Sequence, residues 1–411
     1  MTSLFNAAPE PFKVDVPKEE IEELRKRLES ARWPLVDTVV DDQTEEDRHR
    51  NFGMGYGPPL PLMKELAEEW KNHSWEKAQE FINSFEHFKV GIEDSDLHFL
   101  HHPSSHKDAV PIVLCHGWPG SFLEFLHVIP LLTEPKEAGA QAFHVVVPSM
   151  PGYAFSSPPK TSKWTMNDTA RIFDKLMVGL GYESYISQGG DWGSVCARLL
   201  GSVHKDHCKG VHLNFCPVPT PAILSWINPH TLLEWLPEFI VSKKEYQRKK
   251  HALSYLENGS SYYLMQNKTP RTPAYALNDS PIGLLAWIGE KMIPYIDHAT
   301  TQPNPTLTRD ALFETLSLYW FTHSIGTSFL PYALNPHFGD FIVNPAYYLP
   351  NMALSDFPGE IIIATEKEVS KTANCVWRKE SDDGGHFAAL EKPVVFTEHV
   401  REAVGVLLKT R

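Results

Sequence analysis

The sequence has no apolar stretch long enough to cross a membrane. A membrane-spanning helix needs about 20 consecutive apolar residues, and no segment of the 411-residue chain approaches that length. The first twenty residues also lack the apolar run that is typical of a signal peptide. We therefore expect a cytoplasmic protein without a membrane anchor.

Cysteine is scarce and irregularly placed. The chain has five cysteines, an odd number, and no two of them form a Cys-x-x-Cys pair. Disulfide frameworks and zinc sites need cysteines in pairs or at close spacing. The sequence therefore predicts a reduced chain with neither disulfide bridges nor a metal centre.

Positive charge is outweighed by negative charge. Lys and Arg together number 38 against 51 for Asp and Glu, which gives a formal net charge of −13. Nucleic-acid binding depends on clustered basic residues that neutralise phosphates. The one basic cluster, at 243–250, is short and includes Glu245, which favours a solvated helix face. No nucleic-acid partner is expected.

Residues 106–216 contain short apolar runs that each end in a cluster of turn-forming residues. Helical patterns lie between the runs, at about 122–132, 167–180 and 193–203. Buried strands that alternate with helices are typical of an α/β fold, with a parallel sheet covered on both faces. The predicted strands are Pro111–Cys115, Phe143–Val147, Tyr185–Ser187 and Val211–Leu213.

The rest of the chain is interpreted around this core. Residues 1–105 carry an amphipathic helix at 17–33 and a second helix at about 60–80, whereas 217–345 is helical and rich in aromatic residues. Residues 346–411 complete the core with a strand at 375–377 and a final helix at about 393–408. Three short runs, at 347–349, 352–354 and 361–364, compete for one further strand. The helical insertion is expected to lie over the carboxyl ends of the strands, where ligands bind in open α/β sheets.

The sharpest local motif is Gly189-Gly190-Asp191-Trp192-Gly193, which stands between a predicted strand and a predicted helix. It has the glycine-x-nucleophile-x-glycine pattern of the strained elbow in α/β hydrolases, with Asp in the place of Ser. Asp191 is therefore a candidate nucleophile, and the alternative is that it only caps the following helix. His386, in a Gly-Gly-His-Phe motif after the last strand, stands where this fold carries its catalytic histidine.

A second glycine-containing motif follows the first core strand. His116-Gly117-Trp118-Pro119-Gly120 stands where the fold supplies a backbone amide to the oxyanion hole. The backbone N–H groups of Trp118 and Trp192 are then the two predicted donors. A simple turn at the end of a strand is the alternative interpretation.

In combination, these motifs resemble those of epoxide hydrolases of the microsomal type, in a soluble, fungal-like form that lacks the membrane anchor. The FINSFEHF segment at 81–88 also resembles the part of that family that wraps the core. The resemblance implies an α/β-hydrolase core with a mainly parallel sheet, a helical lid insertion and an N-terminal wrapping segment. The matching motifs, in chain order, are HGWPGS at 116–121, GGDWGS at 189–194, ALNDSPIGLLAWIGEK at 276–291, LYWFTHS at 318–324 and GGHFAALEKP at 384–393.

The resemblance also implies roles for individual side chains. Asp191 corresponds to the nucleophile and His386 to the base that activates water. The family uses two lid tyrosines to hold and protonate the epoxide oxygen; their positions correspond to Tyr262, with Tyr263 as a rival, and to Tyr332. A phenol is neutral at pH 7 and can donate a proton to a developing alkoxide.

The resemblance also implies an acid that orients the histidine. The family places it in Phe-Pro-x-Asp/Glu followed by Leu, and Phe357–Ile361 fits this pattern with Glu360 as the acid and Asp356 as the runner-up. Residues 362–365 continue with a strand-like pattern where the family has a proline-containing loop. The alternative is that Glu360 is a surface carboxylate at the start of a strand.

The implied reaction is the conversion of an epoxide and water to a vicinal diol through an alkyl ester on Asp191, without a cofactor or a metal. The expected partners are a small-molecule epoxide and water, and a homodimer is left open. Haloalkane dehalogenase is an alternative because it uses the same Asp–His pair, but halide release needs no tyrosine donor. A non-catalytic binding protein with a hydrolase fold is the third interpretation.

Overall fold

The computed structural model describes residues 4–39, 56–218, 242–297 and 304–410. Nine strands in these ranges form one sheet, in the order β1-β2-β3-β5-β4-β6-β7-β8-β9. Strands β4 to β9 run parallel, whereas β1, β2 and β3 pair antiparallel with one another and β3 pairs antiparallel with β5. The strands are β1 (Glu10–Phe12), β2 (His87–Ile92), β3 (Ser95–His102), β4 (Val110–Cys115), β5 (Phe143–Pro148), β6 (Tyr185–Gly189), β7 (Cys208–Leu213), β8 (Leu349–Asp356) and β9 (Ala373–Glu380).

Both faces of the sheet are buried. On β4, Val113 and Cys115 belong to one apolar cluster, while Ile112 and Leu114 belong to the other. Because successive side chains of a strand point to opposite faces, this continuous apolar run requires cover on both sides. The predicted α/β core with a mainly parallel sheet is confirmed.

Helices precede the core, alternate with its strands and make up most of the described residues between β7 and β8. Those before and within the first part of the core are α1 (Lys18–Glu29), α2 (Leu60–Asn72), α3 (Trp75–Ile82), α4 (Ile129–Thr133), α5 (Met166–Gly179) and α6 (Asp191–Val203). Those of the insertion are α7 (Lys243–Ser254), α8 (Ser261–Lys268), α9 (Arg271–Asp279), α10 (Pro281–Asp297), α11 (Arg309–Thr322), α12 (Leu330–Leu334) and α13 (Asp340–Val343). After β8 come α14 (Glu366–Val369), α15 (Ala388–Glu391) and α16 (Pro393–Leu407).

The N-terminal segment differs from its prediction in two respects. The single helix predicted at about 60–80 is wrong, because α2 ends at Asn72 and the Ser74 side chain accepts the Lys77 N–H to begin α3. Such a serine cap satisfies an N–H group that has no partner within the helix. The segment also contributes β1, β2 and β3 to the sheet. It is tied to the insertion by a buried hydrogen bond of 2.9 Å from the Trp70 indole to Ser317.

The competition for the strand before β9 is resolved in favour of residues 349–356, which form β8. The strand-like pattern after Glu360 is not a strand, because the chain leaves the sheet at the Phe357-Pro358 turn. The apolar residues Ile361 and Ala364 of this segment are instead buried within a loop. The interpretation of Glu360 as a surface carboxylate is therefore wrong, since this residue is only 2% exposed.

No helix in the described ranges combines the length and the apolar character of a bilayer-spanning segment.

Candidate active site

Asp191 occupies a sharp turn between β6 and α6. It is the first residue of α6 and has a φ of 45°, in the left-handed region that side chains rarely adopt. The turn closes because its neighbours are glycines: a Cβ atom on Gly189 would overlap the Gly193 carbonyl, and one on Gly193 would overlap the Cys115 carbonyl. This is the geometry of a nucleophile elbow, which presents its central side chain at the end of the sheet.

The end of β4 brings a backbone donor to Asp191. Strands β4 and β6 are parallel neighbours, so their carboxyl ends meet at one edge, with Cys115 opposite Gly189. The Trp118 N–H donates to Oδ1 of Asp191 at 2.7 Å. Trp192 is the second residue of α6, and N–H groups in the first turn of a helix have no acceptor within that helix.

His386 lies between β9 and α15 and faces Asp191 from the other side. Its Nε2 is 3.5 Å from Oδ2 of Asp191, and its Nδ1 is 2.6 Å from Oε1 of Glu360. The same Glu360 oxygen accepts the Ile361 N–H at 2.7 Å. The two loops are held together by a hydrogen bond from the Gly359 N–H to the Gly384 carbonyl at 2.9 Å. Asp191, His386 and Glu360 thus form one connected line of side chains.

The electrostatics of this line favour a charged imidazole. Burial lowers the pKa of His386, but the charges and hydrogen bonds of Glu360 and Asp191 outweigh it and hold the pKa well above its usual value. Burial raises the pKa of Glu360, and the contact with His386 opposes that shift. A carboxylate of this kind fixes which imidazole nitrogen carries the proton and how the ring is turned.

Asp356, the alternative acid, has different partners. It ends β8 and is 5% exposed, and its Oδ2 lies 2.8 Å from Nη2 of Arg378. A second guanidinium, that of Arg248, is 3.7 Å away. The structure therefore places Asp356 in an ion-pair cluster rather than at His386.

The two tyrosines named from the sequence lie on α8 and α12, and both are buried. The Tyr262 ring stacks on the Trp118 indole with the ring centres 5.1 Å apart, and 6.1 Å separates the centres of Tyr262 and Tyr332. The Tyr332 hydroxyl is buried, and its hydrogen bond with Tyr262 lowers the pKa of Tyr262. Tyr263, the rival of Tyr262, is half-buried, and only Tyr262 of the two lines the adjoining cavity.

That cavity opens beside His386, and the space within it, counted together with its solvent-open mouth, is about 560 Å³. Five of its thirteen lining residues are Trp, Tyr or Phe, and polar groups such as Lys291 and His386 stand among them, which suits a small apolar ligand held by a few polar groups. Behind Asp191 and His386 lies a smaller cavity, lined also by Glu124 and Asn214, with room for about one water molecule. Within the described ranges, no group of three His, Cys, Asp or Glu residues is placed to hold a metal ion.

Sequence reasoning missed two acids near His386: Glu391, which is buried, and Glu124, which is half-buried. Burial raises the pKa of Glu124 to about 8 and that of Glu391 to about 8, so both are mainly neutral at pH 7. Glu391 accepts the Phe387 N–H at 2.8 Å and so holds the turn that follows His386. The signal in the sequence was a single acid inside an apolar run for Glu124, Phe-Leu-Glu-Phe-Leu, and a single acid at the end of one for Glu391, Ala-Ala-Leu-Glu.

Comparison with known proteins identifies the family. Residues 9–125 match the family model described as "Epoxide hydrolase N terminus", and residues 110–250 match that of the alpha/beta hydrolase fold. Epoxide hydrolase 1 of Sus scrofa is 33% identical over 426 aligned residues, which cover 97% of this chain and 88% of that protein. The chain belongs to the epoxide hydrolase family.

Solved structures of other epoxide hydrolases match the fold of this protein over almost the whole chain. The Aspergillus niger epoxide hydrolase is 31% identical with a TM-score of 0.82, and the match covers 98% of this chain and 97% of that one. Juvenile hormone epoxide hydrolase from Bombyx mori is 27% identical with a TM-score of 0.84, over 99% and 96% of the two chains. Both the predicted microsomal-type resemblance and the predicted hydrolysis of epoxides are confirmed.

Proposed function

We propose that this epoxide hydrolase converts a small epoxide and water to a vicinal diol through a covalent ester on Asp191. The observation that carries the proposal is the position of the Asp191 carboxylate, with Oδ1 on the Trp118 N–H and Oδ2 facing Nε2 of His386. An acid so placed can act first as a nucleophile and then as the carbonyl centre that water attacks. No cofactor takes part.

In the first step, Oδ2 of Asp191 attacks an epoxide carbon while Trp118 keeps Oδ1. The carbon–oxygen bond of the ring breaks, and its electron pair remains on the epoxide oxygen. Tyr262 and Tyr332 donate to that oxygen as general acids. Burial and the charge of Asp191 raise the pKa of Tyr262, so its phenol is protonated and available as a donor before the ring opens.

In the second step, His386 accepts a proton from a water molecule, and that water attacks Cγ of the esterified Asp191. The Cγ–Oδ2 bond then breaks, and the departing diol oxygen takes the proton from His386. The second water proton, left on the new Asp191 carboxyl group, restores the phenol that protonated the epoxide oxygen. Esterification removes the Asp191 charge, which is one of the two charges that raise the pKa of His386. The pKa of His386 is therefore lower in the ester intermediate than in the free enzyme. The imidazole can then be neutral, which it must be to act as a base. The negative charge that develops on Oδ1 is stabilised by the Trp118 and Trp192 N–H groups, at roughly 3 kcal/mol for one such donor.

A single turnover of styrene oxide in water enriched with ¹⁸O tests the covalent route. The ester must break between Cγ and Oδ2, so the oxygen added to the first diol comes from Asp191. We expect an unlabelled first diol and one heavy oxygen on Asp191, both measured by mass spectrometry. Direct attack of water on the epoxide would instead label the first diol and leave Asp191 unlabelled. 1-Chlorobutane in a parallel assay should release no chloride, which separates this activity from a dehalogenase.

Replacement of Glu360 by Gln should slow hydrolysis of the ester by on the order of 10²- to 10⁴-fold, with little change in its formation. The reason is that the imidazolium formed during water attack loses its charge partner, and the ring loses its preferred tautomer. Rapid-quench measurement of both half-reactions with styrene oxide would show the difference.

Asp356→Asn provides the matched control for Glu360→Gln, since both variants remove one buried acidic charge. It breaks the ion pair with Arg378 and should cost about 3 kcal/mol of unfolding free energy, while both half-reactions keep rates near those of the parent. A large hydrolysis defect in Asp356→Asn, together with normal Glu360→Gln kinetics, would reverse the assignment of the acid.

A further inference from the structure

A third phenol lies next to Tyr262. The hydroxyl oxygens of Tyr255 and Tyr262 are 2.8 Å apart, which is a hydrogen-bond distance. Tyr255 lines the same cavity as Tyr262 and His386. No motif in the sequence indicated this residue, because it stands in a lid segment with no catalytic pattern.

The local backbone turns Tyr255 inward. It begins a single π-helical turn, Tyr255–Gly259, that joins α7 to α8, and the next side chain, Leu256, is 52% exposed. A Cβ atom on Gly259 would lie 2.9 Å from Cδ2 of the Tyr255 ring. The ring can therefore rest against the backbone only because residue 259 has no side chain. Single π turns inside helical segments occur frequently at functional sites.

A phenol has one proton, so the direction of this hydrogen bond matters. Tyr262 can protonate the epoxide oxygen only if its own O–H points to the substrate and its oxygen accepts from Tyr255. We infer that Tyr255 is a positioning residue that donates to Tyr262 and thereby directs the Tyr262 proton to the epoxide oxygen. The inference rests on the role proposed above for Tyr262.

The surroundings of Tyr262 fit a group that gains negative charge during the reaction. As its proton passes to the epoxide oxygen, its O–H bond breaks and the electron pair stays on the phenol oxygen, where the Tyr255 hydrogen bond stabilises it. Nζ of Lys291 lies 4.4 Å from the centre of the Tyr262 ring, and it is also 2.8 Å from Oε1 of Glu290. A cation over an aromatic face is attracted to its electrons, and more so as the ring becomes anionic. Burial and the charge of Asp191 raise the pKa of Tyr262, whereas the hydrogen bonds with Tyr255 and Tyr332 lower it.

Tyr255→Phe removes one hydroxyl and preserves the ring. We expect formation of the ester from styrene oxide to slow by about tenfold or more, as for loss of one hydrogen bond to a developing charge. Hydrolysis of the ester, which does not use Tyr262, should be unchanged and so reports an intact fold. Tyr275→Phe is the matched control, because Tyr275 lies on α9 and is 76% exposed.

The double variant Tyr255→Phe/Tyr262→Phe shows whether Tyr255 positions the Tyr262 hydroxyl or only packs in the cavity. If Tyr255 acts through Tyr262, then Tyr255→Phe should have no further effect on ester formation in a Tyr262→Phe background. Gly259→Ala, which keeps every phenol but crowds the Tyr255 ring, should slow ester formation in the parent and not in Tyr262→Phe. All rates come from single-turnover experiments with styrene oxide, followed by intact-protein mass spectrometry.

Three results would overturn the inference, and they have different meanings. Normal ester formation in Tyr255→Phe, with slow formation in Tyr262→Phe, would leave Tyr262 as the donor and remove Tyr255 from the mechanism. Equal effects of Tyr255→Phe in both backgrounds would show that Tyr255 acts by packing alone. Normal ester formation in Tyr262→Phe would contradict the role proposed for Tyr262 itself, and the inference would fail with it.

Discussion

Replacement of Asp191 by Asn should abolish formation of the covalent ester, with a loss of at least about 10⁴-fold, as for removal of other catalytic nucleophiles. The amide oxygen is a poor nucleophile, whereas the turn, the Trp118 N–H and the cavity would all be retained. Intact-protein mass spectrometry after exposure to styrene oxide, with single-turnover kinetics, measures the loss. The side chain change is isosteric, so the melting temperature provides the check on folding.

Fresh protein is needed for the Asp191→Asn experiment, because slow deamidation of Asn would regenerate the nucleophile. Activity that grows with storage time would reveal deamidation and is itself in agreement with the proposal. Asp206→Asn, at an exposed position between α6 and β7, is the matched control and should form the ester at the parent rate. Unchanged ester formation in Asp191→Asn immediately after purification would contradict the assignment of the nucleophile.

His386→Gln should have the opposite signature and trap the ester. Formation of the ester needs no base, whereas its hydrolysis does, so hydrolysis should fall by on the order of 10²- to 10⁴-fold. The expected observation is a protein heavier by one styrene oxide, with the added mass on the peptide that contains Asp191. Turnover should stop after one equivalent of epoxide is consumed.

The control for His386→Gln is His337→Gln, which changes an exposed histidine after α12 and should leave both half-reactions intact. If His386→Gln lost ester formation and hydrolysis together, the histidine would have to act in ring opening as well. Trapping in His386→Gln, combined with no ester in Asp191→Asn, would assign the two residues to successive steps.

The parallel core was predictable because each of its strands is a local apolar run, buried on both faces and followed by turn residues. Strand β3 was not predicted: its sequence, Ser95–His102, is half polar and contains three histidines. Two of them have partners far along the chain: His98 bonds to Ser149 and His101 to Tyr182. Strands of this kind form because they pair with segments far along the chain. The residue pattern of one segment alone does not predict such pairing.

The site residues predicted from the sequence differ in the same way from those that were missed: the first stand in local motifs, and the second depend on contacts across the fold. Asp191 and His386 stand in glycine-containing turns, where the backbone itself requires a particular sequence. Glu124 and Tyr255 gain their positions from burial and from contacts across the fold, so nothing near them in the chain distinguishes them from ordinary residues. For Glu360, the sequence supplied the candidate, but its 2.6 Å contact with His386 depends on how two separate loops meet.

Glu124 and Glu391, the two acids that are mainly neutral near His386, take up protons when the protein folds. In an unfolded chain, glutamate titrates near 4.3, whereas the pKa of Glu124 and that of Glu391 in the folded protein are about 8. Between these values the folded state binds more protons than the unfolded state, so these two groups make folding less favourable as the pH rises toward 8. At neutral pH these two acids alone make the native molecule less negative, by nearly two charges, than the formal value of −13. In mildly alkaline solution, rather than in mild acid, Glu124 and Glu391 ionise next to His386 and destabilise this part of the interior.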